Sequence, residues 1–141
     1  MKSLNTLNES ESSSLRPTNK SELKRLINQR IKEQGPKCNL NDIDVSGVED
    51  MSALFEGTDF NGDISKWDVS NVENMSYMFA DSKFNGDISN WNVSKVHTVE
   101  EMFVDSEFDG DISKWDLRKA RYRRSMFSGS KKHRNRASKA C

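Results

Sequence analysis

Three aspartates, Asp63, Asp87 and Asp111, recur at 24-residue intervals in the turns NGD, NGD and DGD. Carboxylates gathered in one column repel, and a calcium ion would relieve that repulsion. Asn61, Asn85 and Asp109 form a second column beside them. The single aspartate per unit and the glycine spacing do not fit calcium-binding nonapeptide repeats. The simpler expectation is that each Asp or Asn caps its own turn through backbone N–H groups, so no metal is expected. His97 and His133 are the only histidines, and no serine or cysteine sits in a recognisable nucleophile setting. Phosphate-cradling glycine loops and zinc spacings are also missing. Neither an enzyme nor a cofactor is expected. Trp67, Trp91 and Trp115 could stack bases or sugars if exposed, but they fall among inward-facing positions and are expected to be core.

Charge supplies the other chemistry. The 141 residues carry 22 Lys and Arg against 22 Asp and Glu, but the balance is a cancellation. From Asp116 onward ten lysines and arginines face Asp116 alone, a net +9, which leaves −9 for residues 1–115. A basic end of this kind binds nucleic-acid phosphates through counterion release. It equally suits an acidic protein, or the acidic body of a second copy in a head-to-tail contact.

The elements that position these residues are repeats. Four copies of 24 residues run without a gap from 36 to 131, the first degenerate and the last rich in arginine. Leu40, Ile64, Ile88 and Ile112 align, as do Ile43 with the three tryptophans, and Val45, Val69, Val93 and Leu117. Met51, Met75 and Val99, and the closing phenylalanines Phe55, Phe79, Phe103 and Phe127, complete the apolar set. No 24-residue unit can bury such side chains alone, whereas stacked units can. ISKWDV reads as an inward-facing strand, MSYMFA as a short helical turn and the NGD glycines as able to take φ > 0. Before the repeats, TNKSELKRLINQRIKEQG places Leu23, Leu26, Ile27 and Ile31 on one helical face, with Asn19 or Ser21 as cap and Gly35–Pro36 as stop. The division is therefore a polar tail at 1–17 read as disordered, a capping helix at 18–35, four repeats at 36–131 and a basic tail at 132–141.

The run FNGDISKWDVSNVENMSYMF resembles the BspA-like leucine-rich-repeat surface proteins, whose repeats centre on W-D-V-S-N-V-x-x-M-x-x-M-F. That resemblance implies an α/β repeat fold, a short right-handed leucine-rich-repeat-like solenoid of four coils with an N-terminal capping helix. It also implies a bacterial binding or adhesion role without catalysis, usually at the cell surface. Departures lie in the last copy, where Arg118 replaces Ser, Ala120 replaces Val and Arg123 replaces Met. A terminal unit has no neighbour, so a polar outer face there prevents end-to-end aggregation.

The expected function is a non-enzymatic protein-protein interaction module. Its partner would dock on the exposed strand face, Lys66, Asp68, Asn90, Asn92, Lys114 and Asp116, and on the basic end, Arg118, Arg121 and Arg124. The alternatives are nucleic-acid binding by the Arg/Lys-rich C-terminus, or surface adhesion by a chain lacking its export signal; self-association is a further expectation. The N-terminus has no apolar run fit for a signal peptide and no segment is long enough to span a membrane. A cytoplasmic location and no membrane contact are expected, and the sequons at Asn8, Asn74 and Asn92 are taken as chance. Cys38 and Cys141 make no metal or redox spacing.

Overall fold

The structure, a computed structural model, describes residues 15–132. What the sequence leads one to expect of Asn8, His133, Cys141 and the tails beyond these bounds falls outside the described residues.

Helix α1 spans Lys20–Gln34. Asn19 is its cap: the side-chain oxygen accepts from the Glu22 N–H at 2.9 Å, while Glu22 reaches back to the N–H and hydroxyl of Thr18 at 2.8 and 2.9 Å. Those reciprocal bonds satisfy donors a helix start leaves open. Gly35 ends the helix at φ 90 and donates to Ile31 O at 2.7 Å. Leu23 and Ile27 are fully buried, and Leu26 and Ile31 pack half-buried on the same core. Arg30 clamps the helix to the first repeat, donating to both carboxylate oxygens of Asp42 at 2.9 Å.

The expected α/β solenoid of four coils is not what forms. Among the described residues there is one helix and no strand, only isolated parallel bridges joining Asn39 to Asp63, and Asp50 to Asn74, Thr98 and Tyr122 in turn. The reason lies in the spacing. Strand side chains alternate every two residues, but here the inward positions Ile64, Trp67, Val69, Val72, Met75 and Met78 advance mostly by three. Three of the four three-residue steps are turns closed by a backbone bond, Trp67 to Ile64 at 3.2 Å, Val72 to Val69 at 3.0 Å and Met78 to Met75 at 3.2 Å. Asp or Asn side chains tighten the chain further. Asp63 accepts from the Ser65 N–H at 2.9 Å, Asp68 from Ser70 at 3.0 Å and Asn74 from Ser76 at 2.9 Å. The MSYMFA segment is likewise turns and not a helix.

Neighbouring repeats are joined along these turns. The N–H groups of Met75, Tyr77, Phe79 and Asp81 donate to the carbonyls of Thr98, Glu100, Met102 and Val104 at 3.0, 3.1, 2.9 and 2.8 Å. Every second donor thus points toward the following repeat. Two residues per repeat adopt left-handed backbone to allow it, among them Tyr77 at φ 58, Asp81 at φ 51, Glu101 at φ 52 and Asp105 at φ 53. That conformation costs an L-residue about 1–2 kcal/mol, which the inter-repeat bonds and the burial beneath them offset.

The core is a set of aromatic columns. Phe55, Phe79, Phe103 and Phe127 stack at 5.5, 5.6 and 5.2 Å, and Trp67, Trp91 and Trp115 at 6.5 and 6.3 Å. The tryptophans are buried, as their inward position required, and each indole N–H donates back to the preceding repeat, to Leu40, Ile64 and Ile88 carbonyls. The NGD glycines do not take positive φ. Their role is close approach: a Cβ on Gly62 would lie 1.8 Å from Cys38 O and 2.7 Å from the Phe60 ring. Cys38 is buried, which pushes its thiol pKa up.

Candidate functional site

Repetition alone sets up two polar columns. One residue per repeat gives Lys66, Asn90 and Lys114, and the next outward position gives Asp68, Asn92 and Asp116; all are exposed except Asp116, which is half-exposed. The second column is structural as well as exposed. Asp68 accepts from the hydroxyl of Ser70 at 2.6 Å, and Asn92 from the Ser94 N–H at 3.1 Å. Ser70 holds the Asp68 carboxyl below its usual range. The first column ends at α1, where its counterpart Asp42 is held by Arg30.

The NGD aspartates also serve their own turns. Asp63, Asp87 and Asp111 accept from the N–H groups of Ser65, Ser89 and Ser113 at 2.9, 3.0 and 2.8 Å. Hydrogen bonds from the Asn41 side chain and then from Ser65 hold Asp63 down at about 2. The adjacent column ties repeats together, since Asn85 N–H donates to the Asn61 side chain and Asp109 N–H to the Asn85 side chain, both at 2.8 Å. Among the described residues no group of three or more potential ligands could hold a metal ion.

At the far end of the columns Asp116 meets Arg118 in a two-point ion pair, both bonds 2.9 Å, and the guanidinium holds the Asp116 carboxyl at about 2. Arg118 then lines an open cleft of about 590 Å³ with His97, Lys119, Arg121 and Tyr122. The structure brings Arg118 and Arg121 together there. Arg124 is not in that lining; it lies toward Tyr77, whose hydroxyl donates to Glu101. Glu101 is the first cause raising the tyrosine's pKa, and Arg124 opposes it. Arg123 turns back on its own repeat and donates to the Ala120 and Leu117 carbonyls at 2.7 and 2.5 Å.

Lys119, counted in the basic end, and Tyr122 are not among the partner-binding residues expected from the sequence, yet both line this cleft. Tyr122 is 61% exposed. Its signal was present in the register, because the same position holds Asp50, Asn74 and Thr98 in the other repeats, and an aromatic ring in a polar column has no packing reason.

Among the described residues no helix is long and apolar enough to cross a membrane. No curated protein and no solved structure matches the chain. The resemblance to BspA-like leucine-rich-repeat surface proteins is corrected, since the family model that does match is a different one and the strands that resemblance implied are not formed. The match covers residues 22–140, from the first turn of α1 through the repeats. The chain belongs to the family described as Mycoplasma protein of unknown function, DUF285.

Proposed function

We propose that the chain is a non-catalytic interaction module that engages a protein partner. Recognition uses the face carrying Lys66, Asp68, Asn90, Asn92, Lys114 and Asp116, and the cationic end carrying Arg118, Arg121 and Arg124. One observation supports this most: the polar columns run in register along one side and join the cationic cleft through the Asp116–Arg118 pair. A continuous surface of mixed polarity gives a partner both orientation and electrostatic steering. The test is a tagged pull-down from the native cell's lysate, split with and without nuclease. The proposal expects one protein retained after digestion at moderate salt and lost with Lys66→Glu or Asn90→Arg. Retention that vanishes entirely with nuclease overturns it.

A second reading, nucleic-acid binding, draws on Tyr122, an exposed ring beside Lys119 and Arg121. Rings of this kind stack bases while neighbouring cations bind phosphates. It predicts steep salt dependence and sensitivity to Tyr122→Ala, with indifference to Lys66→Glu.

A further inference from the structure

Along the segment that follows each repeat's bridge residue, the backbone bonds between repeats run forward, from one repeat to the next. Val99, Glu101, Phe103 and Asp105 donate their N–H groups to the carbonyls of Tyr122, Arg124, Met126 and Ser128 at 2.8, 2.9, 2.8 and 2.9 Å, as the row before them does to this one. In the fourth repeat the equivalents of the first three donors are Arg123, Ser125 and Phe127, and their N–H groups find no acceptor among the described residues. Ser125 keeps the left-handed backbone, φ 53, that aims such donors at a following repeat. Among the described residues this side of the fourth repeat is thus a row of amide donors aligned like those that bond the following repeat elsewhere. An open edge of this sort is a template for another chain.

From this edge we infer that it seats an extended, carboxylate-rich peptide segment of another protein. The occupant's backbone carbonyls take the places that Tyr122, Arg124 and Met126 take below. Its carboxylates meet Arg121 and Arg124, which are exposed and make no ion pair among the described residues. One aromatic or aliphatic side chain covers Phe127, which is half-buried and, among the described residues, stacks on Phe103 alone, at 5.2 Å. Main-chain bonds then supply affinity while the flanking side chains supply selectivity, as when a strand adds to an open sheet edge. A second copy is a poor occupant. The opposite end of the stack is covered by α1, where Lys20, Lys24, Arg25, Arg30 and Lys32 outnumber Glu22 and Glu33, so end-to-end stacking sets cation against cation.

The inference rests on the proposed function only in requiring a protein partner, and its test uses no cell lysate. The probe is a labelled nine-residue peptide of alternating Asp and Ser with one central Phe, both ends blocked. Binding to the full chain is read by fluorescence anisotropy, and amide exchange by nitrogen-15 NMR with the unlabelled peptide. The expected result is binding that slows exchange of the Arg123, Ser125 and Phe127 amides and weakens about tenfold or more in Arg121→Glu or Arg124→Glu. Both substitutions are at exposed positions, so folding is retained and checked by the same spectra. Absence of binding, or binding that leaves those three amides unprotected, overturns the inference. So does equal protection by a single-stranded oligonucleotide, which makes the edge a general polyanion site. Survival of this result with failure of the pull-down would remove only the polar-face reading, and the converse only the edge.

Discussion

Replacing Phe79 by alanine tests whether stacked aromatic columns hold the repeats together. The ring is fully buried and lies between Phe55 and Phe103, with Phe84 against its side at 4.5 Å and Trp91 at 6.3 Å. A phenylalanine removes at least about 150 Å² from water, which at about 25 cal/mol per Å² gives nearly 4 kcal/mol. Buried Phe→Ala substitutions span about 3–5 kcal/mol, so about 4 kcal/mol is expected. Phe127 belongs to the same column but is half-buried and has one stacked neighbour, Phe103, so Phe127→Ala should cost about 1–2 kcal/mol. Urea denaturation followed by tryptophan fluorescence separates the two by midpoint at constant slope. If Phe79→Ala leaves too little folded protein, Phe79→Leu should lower stability by about 1.5 kcal/mol. Equal losses for Phe79→Ala and Phe127→Ala would refute the reasoning, since a column held from both sides cannot be worth the same as its open end.

Gly62→Ala should destabilise by about 3 kcal/mol, because its Cβ meets backbone at Cys38 O, while Gly110→Ala meets only the Phe108 ring and should cost about 1 kcal/mol; thermal melts giving the reverse order contradict the close-approach role. Ala53→Gly should stabilise by about 0.5–1 kcal/mol, since Ala53 sits at φ 57 and glycine relieves that cost; a loss in denaturant midpoint would count against the left-handed turn. The depressed carboxyls set the acid limit. Asp63 and Asp116 lie at about 2 and Asp44, Asp68, Asp87 and Asp111 are also lowered. A folded pKa below the unfolded value of about 3.9 adds stability present above that pH and lost as the folded groups protonate. Tm should therefore be level above about pH 4.5 and fall between about 4 and 2, modestly because these groups are exposed; a Tm that rises on acidification contradicts the turn bonds.

The apolar columns were legible because repetition prints each buried position four times: Ile64 beside Ile88, Trp67 beside Trp91, Phe79 beside Phe103 all proved core. The helix was legible for a different reason, since Asn19, the Leu23 and Ile27 stripe and Gly35 are local signals that act without the rest of the chain. What misled was the step length. I-x-x-W-x-V reads as a strand, although its first three-residue step needs a turn, and the D-x-S and N-x-S spacings at Asp63, Asp68 and Asn74 each announce one. The left-handed positions at Tyr77 and Glu101 were not readable at all. Their side chains disfavour that backbone, and only bonds to the following repeat impose it. At the candidate site Arg118 and Arg121 line one cleft, whereas Arg123 is held by the Leu117 and Ala120 carbonyls, a tertiary fact no charge count contains.

The most direct test is native-state amide exchange on the free chain, resolved by residue. The account predicts that the Met75, Tyr77, Phe79, Val99, Glu101 and Phe103 amides, bonded to the next repeat, exchange together and slowly. The Arg123, Ser125 and Phe127 amides should exchange much faster. Protection spread evenly across all nine, or slow exchange at those three in the absence of any partner, would contradict the forward row of amide bonds and the unpaired donors at its last repeat.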